Sequence, residues 1–126
     1  MGSDSRTPEE VIREDAAVLE SLGRTSQQVA ARMRELTLLA RPALGNWVES
    51  EGKYRLRSEE YKGSLVCPWP HVGRYEKRIT TCCRLDTQEE MVWSDLNIHL
   101  IEDHGFFEGK DSAFRLEPRE LVRILF

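Results

Sequence analysis

Six side chains in the C-terminal half are of the types that bind transition metals or act as nucleophiles: Cys67, His71, Cys82, Cys83, His99 and His104. Thiolate and imidazole together are the ligand set of structural zinc, which takes four of them in a tetrahedron. The run His99-Leu100-Ile101-Glu102-Asp103-His104 leaves four residues between its imidazoles, a gap that small zinc fingers tolerate. On a regular helix, however, ~100° per residue sets the two rings about 140° apart, so they converge only where the helix tightens or ends. Cys67 precedes a proline turn, while Cys82 and Cys83 lie late in a strand and point to opposite faces, so only one of them can meet Cys67 across a hairpin. If a metal is bound, the expectation is zinc held by at most four of Cys67, Cys82, Cys83, His99 and His104. No two cysteines stand two to four residues apart, as a zinc knuckle requires. The plainer reading is therefore preferred, with the thiols as small core hydrophobes and the histidines as surface or hydrogen-bonded groups.

The same atoms can be read as a thiol enzyme. Cys67 or Cys83 would then need His99 to form a thiolate, and Asp95 or Asp103 to hold the imidazole's tautomer. No glycine-rich oxyanion segment accompanies these residues. The phosphate-binding glycine loop, dinucleotide fingerprint, His-Glu-x-x-His and Gly-x-Ser-x-Gly motifs are all absent from the sequence. A third reading uses charge. Residues 53–84 carry eight basic against three acidic side chains, with Tyr54, Tyr61 and Tyr75 interleaved, whereas residues 86–126 carry ten acidic against four basic. Basic strands with aromatic platforms suit single-stranded nucleic acid. The chain's net charge of −4 argues instead that the basic middle and acidic flanks neutralise each other. Trp69, between Pro68 and Pro70, reads either as an exposed stacking residue or as a lid on the core.

Helices must position these groups, and their signals are strong at the N-terminus. Thr7-Pro8-Glu9-Glu10 supplies a cap hydroxyl and a proline at the first helical position, and Gly23 supplies the stop. Thr25-Ser26-Gln27-Gln28 repeats the capping pattern for a second helix with Val29, Met33, Leu36 and Ala40 on one stripe, ending before Pro42. The short turn between them predicts a helical hairpin over residues 1–42, whose apolar stripes must be covered by the sheet or by a second copy.

From residue 53 the hydrophobic period becomes two. Tyr54–Arg57, Leu65–Cys67, Tyr75–Leu85 and Glu90–Trp93 read as strands of an antiparallel meander spanning 53–94. Ser94 can cap a helix from Asp95 to about His104, closed by Gly105, and Pro118 opens a last one with Leu121, Val122 and Leu125. Phe106, Phe107 and Phe114 lie in the loop between. The expected fold is α+β and a single domain over 1–126: an N-terminal helical hairpin, a small antiparallel sheet of about four strands, and two C-terminal helices packed on it over 95–126.

The 126 residues are 40% hydrophobic and 32% charged, which suits a globular domain that needs no staple. No apolar run approaches the ~20 residues that span a bilayer, and the first residues lack a secretory or lipidation pattern. Three cysteines do not make a disulfide framework, so a reducing cytoplasmic setting is expected. The functional expectation is a small non-enzymatic binding or regulatory module acting by protein contact or as a homodimer, without membrane association. The alternatives are a zinc-stabilised nucleic-acid-binding protein and a thiol-dependent enzyme.

Overall fold

In a computed structural model the chain is an α+β fold in which an antiparallel sheet carries helices on one face. The structure describes residues 7–66, 74–108 and 115–126, with the side chains of 62–66 and 74–77 outside the description. The elements are α1 (Pro8–Ser21), α2 (Ser26–Ala40), a 3-10 turn (Arg41–Ala43), β1 (Val48–Ser50), β2 (Tyr54–Val66), β3 (Arg74–Arg84), β4 (Glu90–Ser94), α3 (Asp95–His104) and α4 (Pro118–Leu125). The strands pair in the order β1-β2-β3-β4, every neighbour antiparallel.

Local chemistry sets most of these boundaries. Thr7 Oγ1 accepts from the Glu10 N–H at 3.2 Å and Pro8 opens α1. Thr25 and Gln28 form a reciprocal capping box on α2, and Ser94 with Asn97 forms another on α3. Gly105 ends α3 in the left-handed conformation at φ +62°, a place where a Cβ is disfavoured. Two details depart from the sequence reading. The segments expected as separate strands at Tyr54–Arg57 and from Leu65 are one strand, β2, continuous through a register shift between Glu60 and Ser64. The polar stretch 57–64 stays in the strand because β3 pairs with it up to Glu60 and again from Ser64, and cross-strand pairing outweighs the missing apolar alternation. The remaining strand is β1, which is three residues long and too short to show a period.

Alternation divides the sheet cleanly. Tyr54, Leu56, Thr80, Cys82, Met91 and Trp93 point to the inner face, where Tyr54, Leu56, Cys82, Met91 and Trp93 join one core with Val29, Met33 and Leu36 of α2, Ile98 and Ile101 of α3, and Leu121 and Ile124 of α4. α1 reaches this core through Leu19 and builds a satellite with Leu100 and Phe106 through Val11. The α2 stripe of Val29, Met33, Leu36 and Ala40 is thus buried within the chain itself, as are Val11 and Leu19 of α1, while Ile12, Val18 and Leu22 are partly buried. Phe106 and Phe107 are core residues, each 1% exposed, and Phe114 lies outside the described residues.

Polar groups crossing the core are paired. The Trp93 indole donates to Thr37 Oγ1 at 2.9 Å, and Thr37 donates onward to the Met33 carbonyl. The Tyr54 hydroxyl shares its one proton between the Ile124 and Leu125 carbonyls, at 2.8 and 2.9 Å. Arg115 and Asp15, a hundred residues apart, form a two-pronged ion pair at 2.8 and 3.0 Å with both side chains 4% exposed. Burial alone would lower the Arg115 pKa, but hydrogen bonds to Asp15 and Glu117 outweigh it and raise it. In the sequence Asp15 reads only as one of several acids near a helix start. Its burial depends on a partner that α1 cannot supply.

Two outcomes are expected in denaturant unfolding. Phe107→Ala costs about 3–5 kcal/mol, as for a buried aromatic; a near-wild-type midpoint would contradict its core position. Asp15→Ala costs about 1–3 kcal/mol because it leaves part of a buried guanidinium without its two-pronged partner while Glu117 and the Glu108 carbonyl hold the rest, and the double change Asp15→Leu with Arg115→Met costs less than the single one.

Candidate functional site

The described surface is hollowed where α2, α3 and the far half of the β2–β3 pair meet. A groove of about 420 Å³ is lined by Arg34, Thr37 and Leu38 from α2, Arg78 from β3, and Asp95, Ile98, His99, Glu102 and Asp103 from α3. Beside it a hollow of about 290 Å³ is lined by Arg41, Leu44, Gly45, Ser58, Glu59 and Glu60. β1 pairs with β2 only as far as Leu56 and β4 with β3 only as far as Ile79, so neither flanks the β2–β3 pair beyond those points. The helices and this emerging pair form the groove's walls.

Ion pairs run through both hollows. Arg78 donates to Asp95 at 2.7 Å and to Glu60 at 2.8 Å, and Arg41 stands 3.8 Å from the same Glu60 oxygen. Arg34 grips both oxygens of Glu102 at 2.6 and 3.0 Å. The hydrogen bond from Arg78 holds the Glu60 carboxyl below its ordinary range, and that from Arg34 does the same for Glu102. Carboxylates held ionised in this way are poor proton donors near neutrality.

The expected ligand residues are placed as follows. His99 is 7% exposed in this groove, with Nδ1 3.2 Å from Asp103 Oδ2. His104 meets it edge to face, ring centroids 5.1 Å apart, although five helical steps separate them. Two features favour this meeting: helix side chains lean toward the N-terminus, and α3 ends at His104. Cys82 is fully buried in the main core and Cys83 lies on the opposite sheet face, away from α3. Cys67 and His71 lie outside the described residues. Among the described residues no group of three or more His, Cys, Asp or Glu is placed to hold a metal ion. Burial, with a smaller contribution from Cys83, pushes the Cys82 thiol up to about 12, far from the thiolate a nucleophile needs.

Of the aromatics interleaved with basic strand residues, Tyr54 is core and Tyr61 is exposed, while the Tyr75 side chain is outside the description. The aromatic that does meet the strand arginines is Trp47. The Arg55 guanidinium lies 4.4 Å from its ring centroid and that of Arg57 5.8 Å. Trp47 precedes β1 and carries no periodic signal, so only the pairing of β1 with β2 reveals it. The chain was compared with protein-family models, characterised proteins and solved structures, and none of the three comparisons gives a match.

Two measurements check this site. Glu102 contributes stability that is complete above the ordinary glutamate pKa of 4.5 and is lost as pH falls through its lowered native value. Glu102→Gln should therefore flatten the acid limb of a stability-versus-pH curve; an unchanged limb would mean the Arg34 pair does not hold in solution. In native protein at pH 8, Cys82 should resist iodoacetamide for as long as the fold persists and react on denaturation.

Proposed function

We propose that this chain is a small non-enzymatic binding or regulatory module acting through protein contact, with the rim formed by the end of α2 and the segment leading into β1 as its contact surface. The observation that carries this reading is Leu44. It is 89% exposed and sits at φ 50°, ψ 50°, a left-handed conformation that costs a residue with a Cβ roughly 1–2 kcal/mol. Glycine or asparagine would sit there more comfortably. A leucine held outward at such a cost, and left 89% exposed, fits a side chain kept for a partner.

Its neighbours support the same use. Leu38 and Leu39 on the last turn of α2 are about half exposed, and Trp47 is partly so. Charged groups of the adjoining groove, Arg41 and Glu60 among them, give the apolar rim a polar border, the anatomy of a protein contact site. The free thiols Cys82 and Cys83 suit a reducing, cytoplasmic compartment, and no described helix is long and apolar enough to cross a membrane.

The test compares wild type with Leu44→Gly, which relieves the left-handed strain. The variant should melt no lower than wild type and should lose a partner that wild-type chain retains in quantitative affinity capture. An identical set of captured proteins for wild type, Leu44→Gly and Leu38→Ser would remove this surface from consideration.

A further inference from the structure

The two edges of the sheet are unlike. β1 is three residues long, too short to template another strand. β4 has five, Glu90-Met91-Val92-Trp93-Ser94, in unbroken register with β3 and with no proline, lysine or bulge to blunt it. Its middle outward residue, Val92, is 46% exposed.

The direction of β4's backbone groups follows from one bond. Arg84 N–H donates to the Glu89 carbonyl at 2.8 Å, so positions 84 and 89 form a hydrogen-bonded pair in the same register as β3 and β4. Antiparallel ladders alternate. The next hydrogen-bonded pairs are then Cys82 with Met91 and Thr80 with Trp93, and the N–H and C=O groups of Glu90, Val92 and Ser94 point away from β3. Ser94 N–H is satisfied by Asn97 Oδ1 at 2.9 Å, as an outward group would be. Among the described residues nothing bonds the outward backbone groups of Glu90 or Val92.

We propose that β4 is the contact edge of a homodimer, in which a second copy pairs antiparallel along it and the two sheets join into one of eight strands. A two-fold axis beside Met91 sets Glu90 opposite the partner's Val92 and Val92 opposite the partner's Glu90. All four outward groups of each chain's Glu90 and Val92 are then used, making four hydrogen bonds across the axis. An axis at Val92 would make only two, because the Ser94 groups are engaged by its own helix cap. The chosen register also keeps the two Glu90 carboxylates out of direct opposition and places each against an apolar neighbour. A closed two-fold contact of this kind consumes the edge and stops at two copies. It is small beside the roughly 1,200–2,000 Å² of a stable complex, so the association is weak and depends on concentration. This edge is separate from the Leu44 rim, and the dimer stands or falls independently of the proposed function.

Sedimentation equilibrium of the full chain from micromolar to millimolar concentration tests it. The mass should rise toward that of two chains. Val92→Pro removes only an outward N–H, and should hold the mass at one chain across the range. Because proline also fixes the backbone φ of its strand, a charge pair provides the second arm. Val92→Glu sets like charges together twice across the axis and should weaken association several-fold, whereas Val92→Lys faces Glu90 of the other copy and should preserve or tighten it. A wild-type mass of one chain throughout would overturn the proposal. So would a dimer indifferent to Val92→Pro, or one that Val92→Glu and Val92→Lys affect alike, since these point to another surface or another register.

Discussion

Trp93 is buried on the inner face of β4, where its indole N–H has no water to bond, and its partner is the hydroxyl of Thr37 in the last turn of α2. An unpaired buried donor of this kind costs about 1–3 kcal/mol, so the bond fixes where α2 crosses the sheet. Much follows from that crossing. α3 begins at the residue after β4, its start held by the Ser94–Asn97 box, so it must run beside α2. The space left between the two is the groove, and the charged residues lining it are those that two amphipathic helices turn away from a shared core. Arg34 and Glu102 close across that space because the crossing sets them opposite one another.

The C-terminal helix obeys the same requirement at its other end. α4 has eight residues, too few to persist alone in water. Its last carbonyls would be unsatisfied in any helix. Here Arg84 donates to the Arg123 carbonyl, Tyr54 to those of Ile124 and Leu125, and Arg32 again to Leu125. The donors come from β3, β2 and α2, so the end of α4 is a joint among three elements as well as a plug for the core. Arg24 stacking on the Phe126 ring at 3.9 Å closes the same corner from the loop after α1.

The helices of the core pack on one face of the sheet, as antiparallel sheets permit, and on the other Val92 and Glu90 are exposed while Cys83 is buried. That asymmetry separates the possible roles of the surface. The helix side offers a groove whose carboxylates and guanidiniums compensate one another. The other face and its β4 edge offer outward backbone groups and a row of side chains. Leu44 belongs to neither. It stands on a turn whose left-handed conformation resists its residue type.

Much of the architecture was legible from local chemistry. Thr7-Pro8, Thr25 with Gln28, Ser94 with Gly105, and Pro118 are caps and breaks whose effects act within a turn, so the sequence by itself determined four helices and their limits to within a few residues. Alternation likewise marked β4 and the ends of β2, and it put Cys82 and Cys83 on opposite faces. What lay beyond it are features created by partners distant in the chain. β1 is too short to carry a period, and the polar middle of β2 is a strand only because β3 lies beside it. Asp15 is an ordinary helix-surface acid until Arg115 arrives from a hundred residues away. The contact of His99 with His104, the stacking of Arg55 on Trp47 and the outward set of Leu44 were decided by the tertiary structure alone. Each depends on where a side chain goes once its element is docked, and one-dimensional periodicity records only which face an element buries.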